Sequence, residues 1–395
     1  MTRRRILALL AAAELLGMSA WFSATAVAPQ LSARWHLDPG QAGWLTTMVQ
    51  LGFVVGTAGA AVLNLADIVP SRLYFAGAAL LAGAVNAALL VVPSYPAALG
   101  VRFLTGMCFA GVYPPAMKMI ATWYKDGRGF AIGTIVGALT IGKATPYLVH
   151  GLEGADVAPV VLAASAGALV AALVVALFYR DGPHAFERRP FSWGLVGVVA
   201  RSREVRLATF GYLGHMWELY AMWTWLAAFL AMSWGARGAA AGGAPNILAF
   251  FAIAAGGAGC VGGGWLADRI GRERLAAGAM AVSGACSLAV GLVYGSPVWL
   301  LATVAVVWGI SVVADSAQFS ALVTELAPPH AVGTALTLQT SLGFLLTMAS
   351  IQLVPHAAAR FGWQWAFAFL AIGPALGIRA MQRLMRLRSR AGAAA

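Results

Sequence analysis

Apolar stretches of about 20 residues recur along the whole chain, separated by short segments rich in charge, Pro and Gly. A stretch of about 20 apolar residues is long enough to cross the hydrocarbon core of a bilayer as an α-helix. We therefore predict an all-α integral membrane protein with twelve transmembrane helices. The predicted spans are residues 6–28, 41–63, 74–93, 96–120, 128–149, 156–179, 207–232, 245–267, 275–294, 297–322, 331–353 and 363–384.

The composition agrees with this pattern, since 61% of the residues are hydrophobic and only 10% are charged. A soluble domain carries about 25% charged residues. The three cysteines, Cys108, Cys260 and Cys286, lie in apolar runs without a C-x-x-C pair, so neither a disulfide framework nor a metal site is expected. The chain has no nucleotide-binding loop, which argues against ATP as the driving force. We expect no cofactor.

The basic residues are distributed unequally between the two sides that twelve spans define. Twenty Lys and Arg residues fall on the side of the termini, whereas only Arg34, Arg237 and Arg360 fall in the opposite loops. Basic residues accumulate in cytoplasmic loops, so both termini are predicted to be cytoplasmic, in the cell inner membrane. This asymmetry accounts for the net charge of +12. It requires no nucleic-acid partner, and we expect a monomer.

A repeat divides the chain at its longest polar link, residues 180–206. The segment "AELLGMSAW" at 13–21 aligns with "WELYAMWTW" at 217–225, at an offset of 204 residues that also pairs "GRGFAIG" with "AVGTALT". We predict two six-helix halves, residues 1–179 and 207–395, the second of which ends in a basic cytoplasmic tail. Parallel repeats with a site between them at mid-membrane are typical of transporters.

Several motifs resemble those of the major facilitator superfamily. "GWLADRIGR" at 264–272 is similar to the loop signature that follows helix 8 in that family, and a degraded copy that keeps Asp67 follows the second span. "RFLTG" at 102–106 resembles the helix 4 signature, and residues 111–133 resemble the helix 4–5 region of anion porters. The resemblance implies two halves related by a pseudo-twofold axis and transport by alternating access.

The loop motifs place acidic and basic residues between consecutive helices on the predicted cytoplasmic side. An Asp at such a position can accept hydrogen bonds from a helix N-terminus and pair with Arg. We expect these residues to form a gate that holds helices together in one access state; the alternative is a static turn with charges that only set the topology. The predicted gate residues are Asp67, Arg72, Asp268, Arg269 and Arg272.

Three acidic residues and a histidine interrupt apolar spans, where charge is costly and each such residue suggests a function. Glu14 and Glu218 occupy matching positions of spans 1 and 7, near the membrane centre. His215 and Glu218, at i and i+3, share one helix face and could exchange a proton in a low dielectric. Asp315 lies in span 10. We predict that these residues form a proton-coupling site facing a cavity; a structural hydrogen-bonded cluster is the alternative.

A second set of polar and aromatic residues is predicted to bind substrate. Arg102 and Lys143 would be the cationic lining for an anion, although Lys143 could also extend to the membrane surface and Arg102 could pair with a carboxylate. The deep tryptophans could stack on a planar ligand or simply pack between helices. The predicted substrate-binding residues are Arg102, Lys143, Trp21, Tyr220, Trp225, Gln318 and Gln339.

These observations favour a proton-coupled secondary carrier of a small molecule in the lipid bilayer, with an inclination toward uptake of an organic or inorganic anion. The alternative within this class is proton-driven efflux of an amphipathic, drug-like compound. An alternative of another class is a membrane receptor or scaffold that does not transport, which would be expected to carry an added signalling domain. An enzyme is not expected, because the chain has no nucleophile or metal motif.

Overall fold

The computed structural model describes residues 2–125, 127–154, 156–184, 192–238 and 242–394, with side chains at all of these except 66, 67, 128, 153 and 391–394. Throughout these ranges the regular structure is helical, without a β-strand. Twelve long helical segments follow one another: α1 (Arg3–Ala26), α2 (Pro39–Val62), α3 (Ser71–Leu90), α4 (Tyr95–Ala121), α5 (Gly129–Leu152), α6 (Val157–Phe178), α7 (Arg203–Gly235), α8 (Ala244–Ile270), α9 (Arg272–Leu292), α10 (Val298–Leu326), α11 (Pro329–Phe361) and α12 (Trp363–Arg390).

Eleven of these segments are, within the described ranges, long and apolar enough to cross a membrane. The remaining one, α7, is 33 residues long and carries His215 and Glu218, both buried. A helix of that length reaches roughly 50 Å, more than a bilayer core requires. The fold is therefore that of an all-α integral membrane protein, consistent with the predicted twelve spans in two six-helix halves.

Three of the segments are interrupted within their length. In α1 a 3₁₀ turn at Ser19–Phe22 interrupts the α-helix. In α4 the helix stops at Phe109 and restarts at Tyr113, and in α10 it stops at Ala314 and restarts after Asp315. The breaks in α4 and α10 are separated by the 204 residues of the sequence repeat, so the two halves share this feature of backbone geometry.

Both termini lie on the same side of the helix bundle. The Tyr124 hydroxyl group, beyond the end of α4, donates to the Arg3 carbonyl oxygen at 3.2 Å. Near the other terminus, Arg388 pairs with Glu273 at the start of α9 at 2.5 Å. The predicted link at 180–206 contains a short helix, Trp193–Arg201, preceded by Ser192, whose N–H donates to the Thr334 hydroxyl group. Residues 185–191 of this link lie outside the described residues.

The halves meet along a seam between α5 and α8 that is lined by glycine. A Cβ atom on Gly137 would lie 2.9 Å from the Gly257 carbonyl oxygen, and one on Gly243 would lie 2.0 Å from the Gly151 carbonyl oxygen. Such backbone-to-backbone approach is what small residues allow between membrane helices. The seam therefore brings the two halves together along most of the length of α5.

Candidate functional site: a central cavity with a buried lysine

A small cavity of about 50 Å³ lies between the halves, where the breaks of α1, α4 and α10 meet α5, α7 and α11. A space of this size admits a few water molecules at most and no organic solute, so the cavity is closed in this structure. The cavity is lined by Met18, Trp21, Phe53, Tyr113, Val136, Leu139, Thr140, Lys143, Tyr212, Met216, Leu219, Tyr220, Trp223, Val313, Ser316 and Phe344.

Lys143 is the cationic residue of this lining, and its side chain is buried. Its Nζ atom donates to the Tyr220 hydroxyl oxygen at 2.5 Å. The same atom lies 3.8 Å from the ring centroid of Trp21 and 5.8 Å from that of Trp223. Ammonium groups are attracted to aromatic faces within about 6 Å, and more strongly when water is excluded. The lysine is therefore held at the cavity by rings from both halves.

Local packing explains the direction of Lys143. Gly142 allows α5 to touch α1 so closely that a Cβ atom there would lie 2.1 Å from the Leu15 carbonyl oxygen. With the backbone of α5 against α1, the next residue projects toward the cavity. The aromatic lining is mutually supported, because Tyr220 lies 5.9 Å from Trp21 and 5.2 Å from Phe344, centroid to centroid.

Glu14 is fully buried on α1, one residue before the contact between Leu15 and Gly142. Within the described part of the chain, neither oxygen of its carboxyl group has a hydrogen-bond partner. Its charge interacts with that of Lys143, but the two groups do not form an ion pair within 4 Å. An ionised carboxylate is costly to bury without a partner, so the charge state of Glu14 depends on the charges around it.

Arg102 is also fully buried, but it does not line the cavity. It donates to the carbonyl oxygens of Ala20 at 3.2 and 3.3 Å, of Trp21, and of Leu45 at 3.4 Å. It also donates to Asn86 Oδ1 at 2.9 Å. These contacts satisfy the carbonyl groups that the break in α1 releases. Arg102 thus fixes the backbone that presents Trp21 to Lys143.

Glu218 lies away from the cavity, in the interior of the second half. Its Oε1 atom accepts from the Trp308 indole N–H at 2.7 Å, and its Oε2 atom accepts from the Ser283 hydroxyl group at 2.7 Å. It therefore joins α7 to α9 and α10. The expected orientation of Glu218 toward a cavity is corrected here: Tyr220 and Trp223 occupy the cavity face of α7, and Glu218 points to the opposite side.

His215 contacts a different acid from the one that the helix spacing suggested. Its Nδ1 atom lies 2.8 Å from Asp315 Oδ1, and both side chains are buried. The His215 ring packs between Tyr212 and Phe319 at centroid distances of 6.0 and 5.6 Å. The expected pair of His215 with Glu218 is replaced by this one because Asp315 occupies the break of α10 opposite α7. Neither His215 nor Asp315 belongs to the cavity lining.

Besides Arg102, three further predicted substrate-binding residues lie outside the cavity lining. The Trp225 indole N–H donates to the Ile351 carbonyl oxygen at 2.9 Å, which closes α7 against α11. Gln318 accepts from Arg272 Nη1 at 2.9 Å, toward the side of the termini. Gln339 is buried on α11, and its amide has no hydrogen-bond partner in the described ranges. Trp21, Lys143 and Tyr220 are thus the predicted residues that the structure brings together.

The predicted gate residues lie on the side of the termini. A Cβ atom on Gly129, at the start of α5, would lie 3.4 Å from Asp268 Oδ2, so Asp268 faces the N-terminus of a helix from the other half. Arg272 pairs with Glu325 at 2.7 Å. The Arg269 guanidinium carbon lies 3.4 Å from the ring centroid of Trp265. Arg72 is exposed at the start of α3, and the side chain of Asp67 lies outside the described part.

Several lining residues carry no signal in the sequence. Phe53, Tyr113 and Phe344 line the cavity, yet each is an ordinary aromatic residue of an apolar span. Asn86, the partner of Arg102, is a lone amide in span 3, and that polarity could have identified it. A cavity with its ligating groups at the interface of two six-helix halves defines a solute carrier of the alternating-access class.

Comparison with known proteins agrees with this class. The Major Facilitator Superfamily profile matches residues 9–345, which is most of the chain. The chain belongs to this superfamily. It is therefore a multi-pass membrane transporter that moves a small-molecule substrate across a bilayer, and it is not an enzyme. No curated protein sequence gives a significant match.

Solved structures share the fold at low sequence identity. A bacterial homolog of the human lysosomal transporter Spinster, inward-facing and unoccupied, has a TM-score of 0.74 and 15% identity over 97% of this chain and 98% of that chain. The same protein in its occupied form scores 0.73, at 15% identity over 97% of both chains. A variant of the nucleoside transporter NupG scores 0.72, with 13% identity over 96% of this chain and 99% of that chain.

Proposed function

We propose that this protein is a proton-coupled carrier that takes up a small organic anion. One observation carries the proposal: the amine of Lys143 lies in the central cavity, and α1, which touches α5 beside Lys143, carries the buried carboxyl group of Glu14. An ammonium group enclosed by protein is a strong recognition group for an anion, because little solvent screens it.

Two further donors support an anionic cargo. The indole N–H groups of Trp21 and Trp223, both in the lining, find no acceptor among the described residues. An anion between them and Lys143 would accept from groups that the closed state leaves unpaired. The apolar remainder of the lining favours an organic anion over an inorganic one.

The distribution of charge supports an orientation with both termini in the cytoplasm of a cell whose inner membrane holds the protein. Fusion of a cytoplasm-dependent fluorescent reporter to the C-terminus would fluoresce in this orientation. Fluorescence from a reporter in the loop at 237–243, and none from the C-terminus, would contradict it.

Proteoliposomes that enclose a pH-sensitive dye test the proposal. An inward pulse of substrate from a panel of organic anions should acidify the lumen in the wild type, and Lys143→Met should abolish the signal. Export of an amphipathic cation, with the proton moving in the opposite direction, is the second candidate, favoured by the aromatic lining. If an amphipathic cation added outside made the lumen more alkaline, and did so in Lys143→Met as well, the second function would be established and the first overturned.

A further inference from the structure

A buried cation of the cavity lining and a buried acid behind that lining lie on helices that touch; the expectation that Glu14 itself faces the cavity is corrected, because Glu14 is not a lining residue. Lys143 lies on α5 and Glu14 on α1, beside the contact of Gly142 with the Leu15 carbonyl oxygen. The ammonium group of Lys143 has a hydroxyl partner in Tyr220 but no carboxylate within ion-pair distance in the described structure. The charges of Lys143 and Glu14 can therefore offset each other, although neither a hydrogen bond nor an ion pair joins the two side chains.

The surroundings of Glu14 contain few other titratable groups. Tyr113 of α4 interacts with it electrostatically. The neighbouring α6 has no titratable residue, and α3 brings Phe75 against Gly17, one turn along α1. Lys143, next to the contact of Gly142 with Leu15, is the buried cation on the helix that touches α1 at this level. Arg102, the other buried cation of this half, is engaged with carbonyl groups of α1 and α2.

The free-energy cost of burying net charge then limits which combinations of charged groups the site can hold. With Glu14 ionised, its carboxylate is the counter-charge of Lys143, and an added anion would leave a net negative charge in a site that excludes water. With Glu14 protonated, an added anion takes over the role of counter-charge. Uncompensated buried charge is strongly disfavoured, so the anion and the ionised carboxylate exclude each other.

We propose that Glu14 and a monovalent organic anion compete for the charge of Lys143, so that the carrier moves one proton with each anion. The inference rests on the proposed function, in which Lys143 binds the cargo. The anion replaces the Tyr220 hydroxyl group at Lys143 Nζ, and the proton that accompanies it resides on Glu14. The loaded carrier bears the same net charge as the empty carrier with Glu14 ionised, so each cycle is electroneutral.

The aromatic residues of the lining indicate the shape of the uncharged part of the transported anion. Trp21, Trp223 and Phe344 surround the space next to Lys143, and Trp21 and Phe344 lie 5.9 Å apart, centroid to centroid. Rings at such distances contact each other directly, and the same rings could contact a flat apolar group in offset or edge-on geometry once the cavity opens. The cargo class is therefore a planar monocarboxylate.

Benzoate is a suitable probe, because it is a planar monocarboxylate that stays ionised between about pH 6 and 10. Its binding to the purified full-length protein would be measured by tryptophan fluorescence, and proton uptake by calorimetry in two buffers of different ionisation enthalpy. In the wild type we expect affinity to fall as the pH rises, approaching about tenfold per pH unit, with one proton taken up per benzoate.

Substitutions distinguish the competition that involves Glu14 from the anion site at Lys143. Glu14→Gln should bind benzoate with no pH slope and no proton uptake, whereas Glu218→Gln, the change at the matching position of the second half, should keep both. A slope retained in Glu14→Gln, or a flat wild-type profile, overturns the competition. Binding retained in Lys143→Met, or no wild-type binding of benzoate, overturns the anion site itself. Gel filtration establishes that each variant is folded before it is scored.

Discussion

The Nζ atom of Lys143 lies 2.5 Å from the hydroxyl oxygen of Tyr220, and this bond joins α5 of the first half to α7 of the second. A charge-assisted hydrogen bond of this kind contributes about 1.5–3 kcal/mol. It lies at the point where alternating access must separate or rotate the halves. Whatever replaces the hydroxyl group at the ammonium therefore changes the contact between the halves as well as the occupancy of the cavity.

Removal of this charge should strongly reduce anion transport while leaving the fold intact. Lys143→Met keeps an unbranched chain, so the packing against Trp21 is largely retained. We expect uptake of a bound anion to fall by about 10–100-fold, the equivalent of one charge-assisted hydrogen bond. Lys143→Arg is the matched control: it keeps the charge and should retain part of the activity. Equal uptake in Lys143→Met and wild type would contradict the assignment of the cavity.

Membrane potential provides a direct test of the charge balance at Glu14. In wild-type proteoliposomes, a potassium diffusion potential set by valinomycin should leave the anion uptake rate unchanged. In Glu14→Gln the anion moves without its proton, so an inside-negative potential should slow uptake and an inside-positive one should accelerate it. A wild-type rate that responds to potential as strongly as the variant would show that more or less than one proton accompanies each anion.

The glycine seam between α5 and α8 should be sensitive to a single methyl group. In Gly137→Ala the new Cβ atom would meet the Gly257 carbonyl oxygen at 2.9 Å, so the backbones must separate. Overpacking of this kind costs about 1–3 kcal/mol. We expect a lower thermal unfolding midpoint and slower transport.

Gly262→Ala is the control for this seam. Gly262 lies on α8, and a Cβ atom there would meet no atom of the described structure within 4 Å. It should therefore leave both the unfolding midpoint and the transport rate near those of the wild type. Equal effects of the two substitutions would mean that helix propensity, rather than the close approach of α5 to α8, controls the outcome.

Glu218 should matter for stability more than for coupling. Glu218→Ala leaves the Trp308 indole N–H and the Ser283 hydroxyl group without their acceptor. Each buried unsatisfied group costs about 1–3 kcal/mol, so the unfolding midpoint should drop clearly. Glu218→Gln keeps an acceptor oxygen and should lose less. A Glu218→Ala protein that is as stable as the wild type but no longer moves protons would instead make Glu218 a coupling residue.

Much of the architecture was predictable from the chain alone. Runs of about 20 apolar residues can satisfy their backbone in lipid only as helices or closed barrels, so hydrophobic length predicts the helices. The 204-residue repeat predicted two halves, and the breaks of α4 and α10 recur at that interval. The weakest span by hydropathy, α7, contains His215, Glu218 and the cavity face. Polarity within a span therefore pointed to the helix that carries Tyr220 and Trp223, although His215 and Glu218 themselves lie outside the cavity lining.

The sequence by itself determined the class of protein, its helical membrane-spanning architecture, and the short list of polar residues that lipid disfavours. It did not determine which of those residues meet. Helical spacing places His215 beside Glu218, yet rotation of α7 in the bundle directs one toward Asp315 and the other toward Trp308. Lys143 and Tyr220 are 77 residues apart and lie on different halves. Only the packing of the halves sets such distances, because the spacing within one helix contains no information about its partners.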